Sequence, residues 1–288
     1  MLRQHDRYGY SAITRRDPFT WPDAKRLAVY IALNLEHYAF GEGLVEDLVP
    51  GMKQPDVLNH SWREYGNRVG AWRLLGLFDE LHLPATILVN SEIYGSCPEL
   101  VAAFRGRGDE IAAHGRSNSE AQSGLAEAAE RELITDATET IARHEGHRPQ
   151  GWLGPWIAET PVTPDLLHEN GYSYVLDWCA DDQPVWLATR GGRLLAVPYP
   201  QELNDSAAII GRCVGAAEFA DMIKDQFDEM LEQSTTGSLT MGIALHTHII
   251  GQPFRLRQLR RALAHIAAAR DTVWLTTAGA IARHFSAI

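Results

Sequence analysis

The sequence contains only three cysteines among its 288 residues, and none of them belongs to a C-x-x-C pair. Cys97, Cys179 and Cys213 are an odd number and lie far apart along the chain. A disulfide framework uses an even, closely spaced set, and a thiolate zinc site uses paired cysteines. Neither is indicated, and we expect the three residues to be buried free thiols.

Long apolar runs and basic clusters are missing as well. No run approaches the ~20 apolar residues that a bilayer crossing needs, and the N-terminal segment MLRQHDRYGYS lacks the apolar core of a signal peptide. Lys and Arg number 26 against 37 Asp and Glu, a net charge of −11, whereas a nucleic-acid site needs clustered basic residues. We therefore expect a cytoplasmic protein, with neither nucleic acid nor a membrane as partner.

Short apolar runs of β-type residues alternate with stretches of helical spacing along the whole chain. This alternation is typical of an α/β protein with a parallel sheet and crossover helices. Eight runs qualify as strands, at 27–35, 85–90, 110–115, 151–155, 172–178, 194–199, 240–248 and 272–277. Eight such strands favour a barrel. Because no polar linker or internal repeat interrupts the pattern, we predict a single domain over residues 1–288.

The segments between the strands predict helices and one break in the alternation. Apolar residues at helical spacing predict amphipathic helices at about 69–78, 129–141, 215–232 and 255–270. Gly191-Gly192 between two apolar runs is a hairpin signal. An irregular barrel with one antiparallel excursion is therefore favoured over a regular eightfold barrel.

Charged and imidazole side chains follow several of the predicted strands. Functional groups of a parallel α/β barrel collect at the carboxyl ends of its strands. Glu36 follows the first strand, His114 lies at the end of the third and His246 at the end of the seventh. Each residue alone has an ordinary structural explanation, such as a solvated charge or a hydrogen-bonded histidine. Their coincidence at equivalent strand ends favours an active site, and we predict all three to be catalytic.

Other polar and aromatic residues beside these strand ends are predicted to bind the substrate: Asn34, Asn118, Trp156, Asp177 and Asp181. The period-2 alternation of a strand places Asn34 on the same face as Glu36. An aromatic wall such as Trp156 suits a planar or sugar-like ligand, although a tryptophan often serves only packing. Asp181-Asp182 before Gln183-Pro184 also fits a turn with no other role.

The order of these motifs resembles the polysaccharide deacetylase family, carbohydrate esterase family 4. An acidic first strand, HG, GWLGPW, DWCADDQP and ALH follow one another as they do in that family. EYGNRVGAWRL and LHTHIIGQPFR most resemble its branch of cofactor-independent allantoinases and cyclic-imide hydrolases. The likeness spans about residues 7–285. It implies an irregular (β/α) barrel of the NodB homology type, a hydrolase of non-peptide C–N bonds and, from related members, a homotetramer.

The resemblance also implies a metal site that this sequence does not complete. Metal-dependent members carry two aspartates on the first strand, one as base and one as ligand, and the matching positions here are Asn34 and Glu36. The family's H-x-x-x-H falls on His114 and Asn118, and the arginine of its R-x-P falls on Leu153. Asparagine is a poor zinc ligand. We expect no cofactor; a retained zinc site would use Glu36, His114 and Asn118.

The remaining chemistry is hydrolytic. Glu36 and His114 together could hold and deprotonate a water, with a proton affinity suited to a general base, while His246 could protonate a leaving nitrogen or polarise a carbonyl. Without a Lewis acid, such a site favours strained or activated amides. We predict hydrolysis of a small cyclic amide, a ureide or imide. The alternatives are a metal-dependent carbohydrate N-deacetylase and a barrel that only binds a partner.

Overall fold

The apolar runs form a curled, mostly parallel sheet covered by helices in the computed structural model of the protein. The structure describes residues 5–45, 48–49 and 51–288. Within those ranges the strands are β1 (Leu27–Leu35), β2 (Thr86–Val89), β3 (Glu110–Ala113), β4 (Gly151–Trp152), β5 (Tyr174–Val175), β6 (Val185–Thr189), β7 (Gly192–Ala196), β8 (Leu239–His246) and β9 (Trp274–Thr276).

Helices connect and cover the strands. In the part of the chain that the structure describes, the α-helices are α1 (Val57–Tyr65), α2 (Ala71–Leu81), α3 (Ile93–Ser96), α4 (Pro98–Gly106), α5 (Glu127–Glu145), α6 (Thr163–Glu169), α7 (Ala216–Gln233), α8 (Thr247–Ile250), α9 (Pro253–Ala268) and α10 (Ala278–Ala287). The four predicted helices correspond to α2, α5, α7 and α9. Helix α1 was not predicted because it buries Asn59 and Arg63 while Val57 and Leu58 are exposed. No helix among these is long and apolar enough to span a membrane.

The sheet has the order β6-β7-β5-β4-β3-β2-β1-β8, and β9 pairs with the first half of β1. All neighbouring strands are parallel except β6 and β7, which form an antiparallel hairpin around Gly191. The predicted irregular barrel with one antiparallel excursion is therefore confirmed. Strand β6 is the addition to the eight predicted strands.

Strand β1 is buried along its whole length, and its two faces serve different layers. Leu33 and Leu35 pack with the helices in the larger hydrophobic cluster, whereas Tyr30 and Ala32 belong to the cluster inside the curled sheet. Because side chains alternate along a strand, Asn34 continues the inner set. The residue after Leu35 is then directed toward the same interior.

Backbone hydrogen bonds from β8 to two loops link the ends of the sheet. The amide of Ala244 donates to the carbonyl of Leu203 over 2.9 Å, and that of Thr240 donates to the carbonyl of Asp182 over 2.8 Å. The first of these bonds places the segment around Leu203 beside the carboxyl half of β8. Side chains from residues about 40 positions apart thereby become neighbours at the end of the barrel.

All three cysteines are free. Cys179 and Cys213 are exposed and Cys97 is partly buried, so the expectation of buried thiols is wrong. The physical reason is that all three lie in connecting segments rather than on the buried faces of strands or helices.

Candidate active site

The carboxyl ends of β1, β3 and β8 open into a cavity of about 330 Å³. The strands deliver their terminal side chains to one place because parallel strands end on the same edge of the sheet. The residues predicted from the sequence that line this cavity are Asn34, Glu36, His114, Asn118, Trp156 and His246.

Glu36 lies at the bottom of the site and is held on both carboxylate oxygens. The amide nitrogen of Asn118 donates to Oε1 over 2.6 Å, and the hydroxyl of Tyr38 donates to Oε2 over 3.1 Å. The side-chain amide of Asn67 donates to the backbone carbonyl of Glu36 over 2.9 Å. With 7% of its surface exposed, the carboxylate is fixed in one orientation.

Two imidazoles face the Glu36 carboxylate. Oε1 lies 3.6 Å from Nε2 of His246 and 3.8 Å from Nε2 of His114. Burial alone raises the pKa of Glu36, but His246, His114 and His248 together outweigh burial and hold the pKa well below its ordinary value. The lowered pKa keeps the Glu36 carboxylate charged, since neighbouring imidazoles favour the charged form.

His114 is oriented by the neighbouring strand. Its Nδ1 lies 2.8 Å from the carbonyl oxygen of Leu153. A carbonyl can only accept, so Nδ1 carries the proton and Nε2 is directed toward Glu36 with its lone pair free in the neutral ring. Gly115 follows at φ +63°, and a Cβ there would lie 2.6 Å from Cγ of Pro155. The HG motif therefore lets the chain turn closely against the GPW segment.

His246 is oriented by an aspartate that the sequence analysis missed. Oδ1 of Asp205 lies 2.7 Å from Nδ1 of His246, and Oδ2 accepts the backbone amide of His246 over 3.0 Å. Asp205 is completely buried. The pair keeps the proton of His246 on Nδ1 and directs Nε2 toward Glu36, the arrangement of an imidazole prepared for proton transfer.

Asn118 is committed to a network of amides. Because the Glu36 carboxylate only accepts, the Asn118 atom beside it is the nitrogen. The carbonyl oxygen of Asn118 in turn accepts from Nδ2 of Asn90 over 3.1 Å, and the same nitrogen donates to the backbone carbonyl of His114. Oδ1 of Asn90 accepts the amide of His37 over 2.8 Å. Every link of this network is directional, so Asn118 presents a donor to Glu36.

Asn34 lies across from His246 in the register of β1 and β8. Its amide nitrogen donates to the carbonyl of Leu245 over 3.1 Å and to the hydroxyl of Tyr199 over 3.3 Å. Its oxygen makes no hydrogen bond to any residue that the structure describes. Asn34 therefore cannot act as a base, but it retains an acceptor at the buried end of the cavity.

Trp156 forms an aromatic wall of the cavity and is 37% exposed. Trp156 and Ile157 have φ values of +64° and +53°, in a region that is strained for residues with a Cβ. The indole nitrogen donates to the backbone carbonyl of Asn118 over 2.8 Å, and the ring meets Tyr38 edge-on at 6.5 Å. This bond connects the wall to the residue that contacts Glu36.

Asp177 and Asp181, predicted to bind substrate, do not line the cavity. Strand β5 ends at Val175, so the chain leaves the barrel before it reaches either residue. Oδ1 of Asp177 accepts the amide of Gly154 over 2.8 Å, and Asp181 pairs with Arg16 at 2.7 Å. Both carboxylates hold loops, which matches the turn chemistry considered for the second of them.

Sequence reasoning missed several polar residues of the cavity: Tyr38, Tyr199, Gln201, Asn204 and Ser206. His248, which also lines the cavity, ends the seventh predicted strand together with His246 but was not assigned a role. No sequence pattern pointed to Asp205, which contacts Nδ1 of His246. Its position depends on how the two ends of the sheet come together.

Comparisons with known proteins give a consistent result. Residues 64–175 match the family described as Polysaccharide deacetylase. The crystal structure of a probable polysaccharide deacetylase from Pseudomonas aeruginosa PAO1 is 30% identical, with 93% of each chain covered and a TM-score of 0.81. The structure of Puue allantoinase is 27% identical, with 97% of this chain and 98% of that chain covered and a TM-score of 0.82. A Schizosaccharomyces pombe protein provisionally named polysaccharide deacetylase is 29% identical, over 94% of this chain and 93% of its own.

The barrel and the group of carboxylate and imidazoles at its carboxyl end define a hydrolase that acts on carbon–nitrogen bonds other than peptide bonds. The chain belongs to the polysaccharide deacetylase family. The fold and family expected from the sequence are thereby confirmed.

Members of this family generally use a divalent metal, and the residues present do not fit the three-ligand site. Glu36 and His114 present suitable lone pairs, and the bond from His114 Nδ1 to a carbonyl is common in metal-bound imidazoles. Asn118 presents an amide N–H to Glu36 instead of a lone pair to a metal. No group of three or more His, Cys, Asp or Glu side chains among the described residues is arranged to hold a metal ion.

Proposed function

We propose that the protein hydrolyses a small cyclic amide, a ureide or imide, without a transition metal. The observation that carries this proposal is the Glu36 carboxylate next to two imidazoles, each oriented through its Nδ1, with the amide of Asn118 in the place of a third metal ligand. Such a site can move protons and hold charge, but it offers little to an unactivated amide.

The size of the cavity supports a small ring. A volume of about 330 Å³ is near the lower end of the range of ligand pockets, and Trp156 and Tyr38 line it with aromatic surface. A sugar oligomer would need an extended groove. The similarity to Puue allantoinase over nearly the whole of both chains supports the same substrate class.

The geometry suggests how the water is activated. A water against Oε1 of Glu36 donates one hydrogen bond to the carboxylate and the other to Nε2 of His114. On attack at the carbonyl carbon, its proton passes to His114, whose Nδ1–H remains bonded to Leu153. Glu36 stays ionised and stabilises the imidazolium, so its lowered pKa suits this role. We therefore assign proton acceptance to the imidazole and electrostatic support to the carboxylate.

His246 completes the reaction as the proton donor. When the tetrahedral intermediate collapses, the bond from carbon to the ring nitrogen breaks and that nitrogen takes a proton from Nε2 of protonated His246. Asp205 accepts Nδ1–H throughout and keeps Nε2 directed into the site. The proton gained by His114 and the proton lost by His246 balance through solvent after product release.

A substrate panel tests this proposal. Purified protein is incubated with hydantoins, cyclic imides, allantoin and N-acetylglucosamine oligomers, and ring opening and acetate release are followed by chromatography. We expect ring opening of at least one cyclic amide and no acetate release, before and after treatment with a chelator. Acetate release that requires added zinc would instead establish a carbohydrate deacetylase. Absence of turnover on every compound would favour the non-catalytic barrel.

A further inference from the structure

His248 lies in the short helix α8, two residues beyond His246, and it lines the cavity although only 3% of its surface is exposed. The two ring centroids are 6.2 Å apart. Neither ring nitrogen of His248 makes a hydrogen bond to any residue in the described ranges of the chain. Both nitrogens are open to solvent, since neither is among the fully buried side-chain atoms that lack a partner, and the ring lines the cavity. The partner of this ring is therefore to be sought in the contents of the cavity.

Apolar packing fixes the position of His248. Its ring and the ring of Trp62 are perpendicular, with centroids 4.6 Å apart and an interplanar angle of 89°. Gly66 approaches the same backbone so closely that a Cβ there would lie 2.7 Å from the His248 amide nitrogen. The EYGNR segment, which the reaction described above does not use, thus serves as the support of this ring.

The surroundings keep the His248 ring neutral. Burial is the largest influence and lowers its pKa to about 3, and Arg63, His246 and Arg255 act in the same direction against the opposing charge of Glu36. A neutral imidazole carries one N–H donor and one acceptor nitrogen. It cannot give up a proton readily, but it can donate a hydrogen bond to an oxygen that becomes negative.

We propose that His248 is a further catalytic residue, whose ring N–H donates a hydrogen bond to the substrate carbonyl oxygen as that oxygen becomes an oxyanion. This role rests on the proposed amide hydrolysis. The Nδ1–H groups of His114 and His246 are already committed to Leu153 and Asp205. His248 forms no covalent bond and keeps its proton through the reaction.

Three substitutions at His248 test the role on whichever cyclic amide the wild type hydrolyses. His248→Leu removes the donor, while His248→Gln and His248→Asn retain an amide N–H at two different reaches. We expect kcat of the Leu variant to fall by about 10²–10³-fold, the effect of losing one oxyanion donor, with KM changed much less. One of the two amide variants should recover part of kcat. His144→Leu, at an exposed histidine on α5, is the control and should keep the parental kcat.

The outcomes separate this inference from the proposed function. A His248→Leu protein with parental kcat, or with only a raised KM, overturns the role of His248 while wild-type turnover leaves the proposed function standing. If the Leu variant does not fold, as judged by circular dichroism, the amide variants decide: a donor role requires them to differ in kcat, and equal values overturn it. A wild type that opens no cyclic amide overturns both proposals together.

Discussion

Two groups of carboxylates, the buried Glu36 and the partly buried pair Asp177 and Glu159, follow strands at the carboxyl end of this barrel, and their pKa values are displaced in opposite directions. The pKa of Glu36 is lowered. Burial raises the pKa of Asp177, and burial together with the charge of Asp177 raises that of Glu159. Burial acts in the same sense on all three groups, so the opposite results must come from their neighbours.

The neighbours differ in their ability to carry positive charge. Glu36 faces two imidazoles, whereas Asp177 accepts the backbone amide of Gly154 and Glu159 accepts the indole N–H of Trp178 over 3.1 Å. The second carboxylate oxygens, Oδ2 of Asp177 and Oε1 of Glu159, are buried, and neither accepts a hydrogen bond from a residue that the structure describes. Neutral donors do not offset the desolvation of a carboxylate. Glu36 therefore stays charged and available for chemistry. Asp177 and Glu159 instead favour the protonated form and hold loops by hydrogen bonds.

Glu36→Gln gives the largest expected effect. It keeps the shape of the side chain but removes the charge that stabilises the imidazolium. Because proton transfer to His114 depends on that charge, turnover should fall by roughly 10²–10⁴-fold, the range for loss of general acid–base catalysis. Steady-state kinetics on the cyclic amide measure this. Glu159→Gln makes the same change in the other group and should keep parental turnover. Equal losses in both variants would refute the functional division between the two groups.

Asp205→Asn should have the next largest effect. Asp205 accepts both Nδ1–H and the backbone amide of His246, and an asparagine can accept only one of them because its other end is a donor. We expect turnover to fall by about 10–100-fold, as for other groups that orient a functional imidazole. Asp177→Asn is the matched control, since its remaining carbonyl can still accept from Gly154. Parental activity in Asp205→Asn would show that His246 needs no partner.

The two Gln variants should change stability in opposite directions. A lowered pKa means that Glu36 stabilises the fold above the unfolded value of about 4.3, a contribution lost only as pH falls through the folded pKa. Glu36→Gln should therefore be less stable than wild type at neutral pH. A raised pKa means that Glu159 destabilises the folded state, and that this destabilisation grows as pH rises above the unfolded value of about 4.3. Glu159→Gln should therefore be more stable than wild type at neutral pH.

Thermal melts at pH 4 and pH 8 measure this difference. We expect shifts of at least ~2–4 °C at pH 8, equivalent to about 1 kcal/mol for a chain of this size. The gain in Glu159→Gln should shrink toward pH 4. Shifts of the same sign in the two variants would mean that the imidazoles do not offset the burial of Glu36.

Chelation should have the smallest effect. Since imidazoles rather than a metal balance the Glu36 charge, treatment with a chelator should change neither turnover nor the melting temperature, and elemental analysis should find far less than one zinc per chain. Asn118→His is a useful comparison, because it supplies the imidazole that the three-ligand site requires. One tightly bound zinc in the wild type, or activity that zinc restores after chelation, would contradict the proposal.

Much of the architecture followed from local pattern. The apolar run at 27–35 is β1 to the residue, and Gly191-Gly192 marked the β6–β7 hairpin. The predicted runs at 151–155 and 172–178 were longer than β4 and β5, because two-residue strands carry no periodicity that would mark their ends. Glu36, His114 and His246 could be named because strand ends show in the sequence and parallel strands end on one edge.

The sequence by itself determined which side chains the strands deliver to the carboxyl end of the barrel, since alternation along a strand sets their direction. Only the tertiary structure decided what surrounds them. Asp205 reaches His246 across 41 positions and Tyr199 reaches Asn34 across 165. Such contacts, and the pKa of Glu36 that depends on them, arise from how distant segments pack. Electrostatic and hydrogen-bond energies depend on distance in space, which local sequence pattern does not contain.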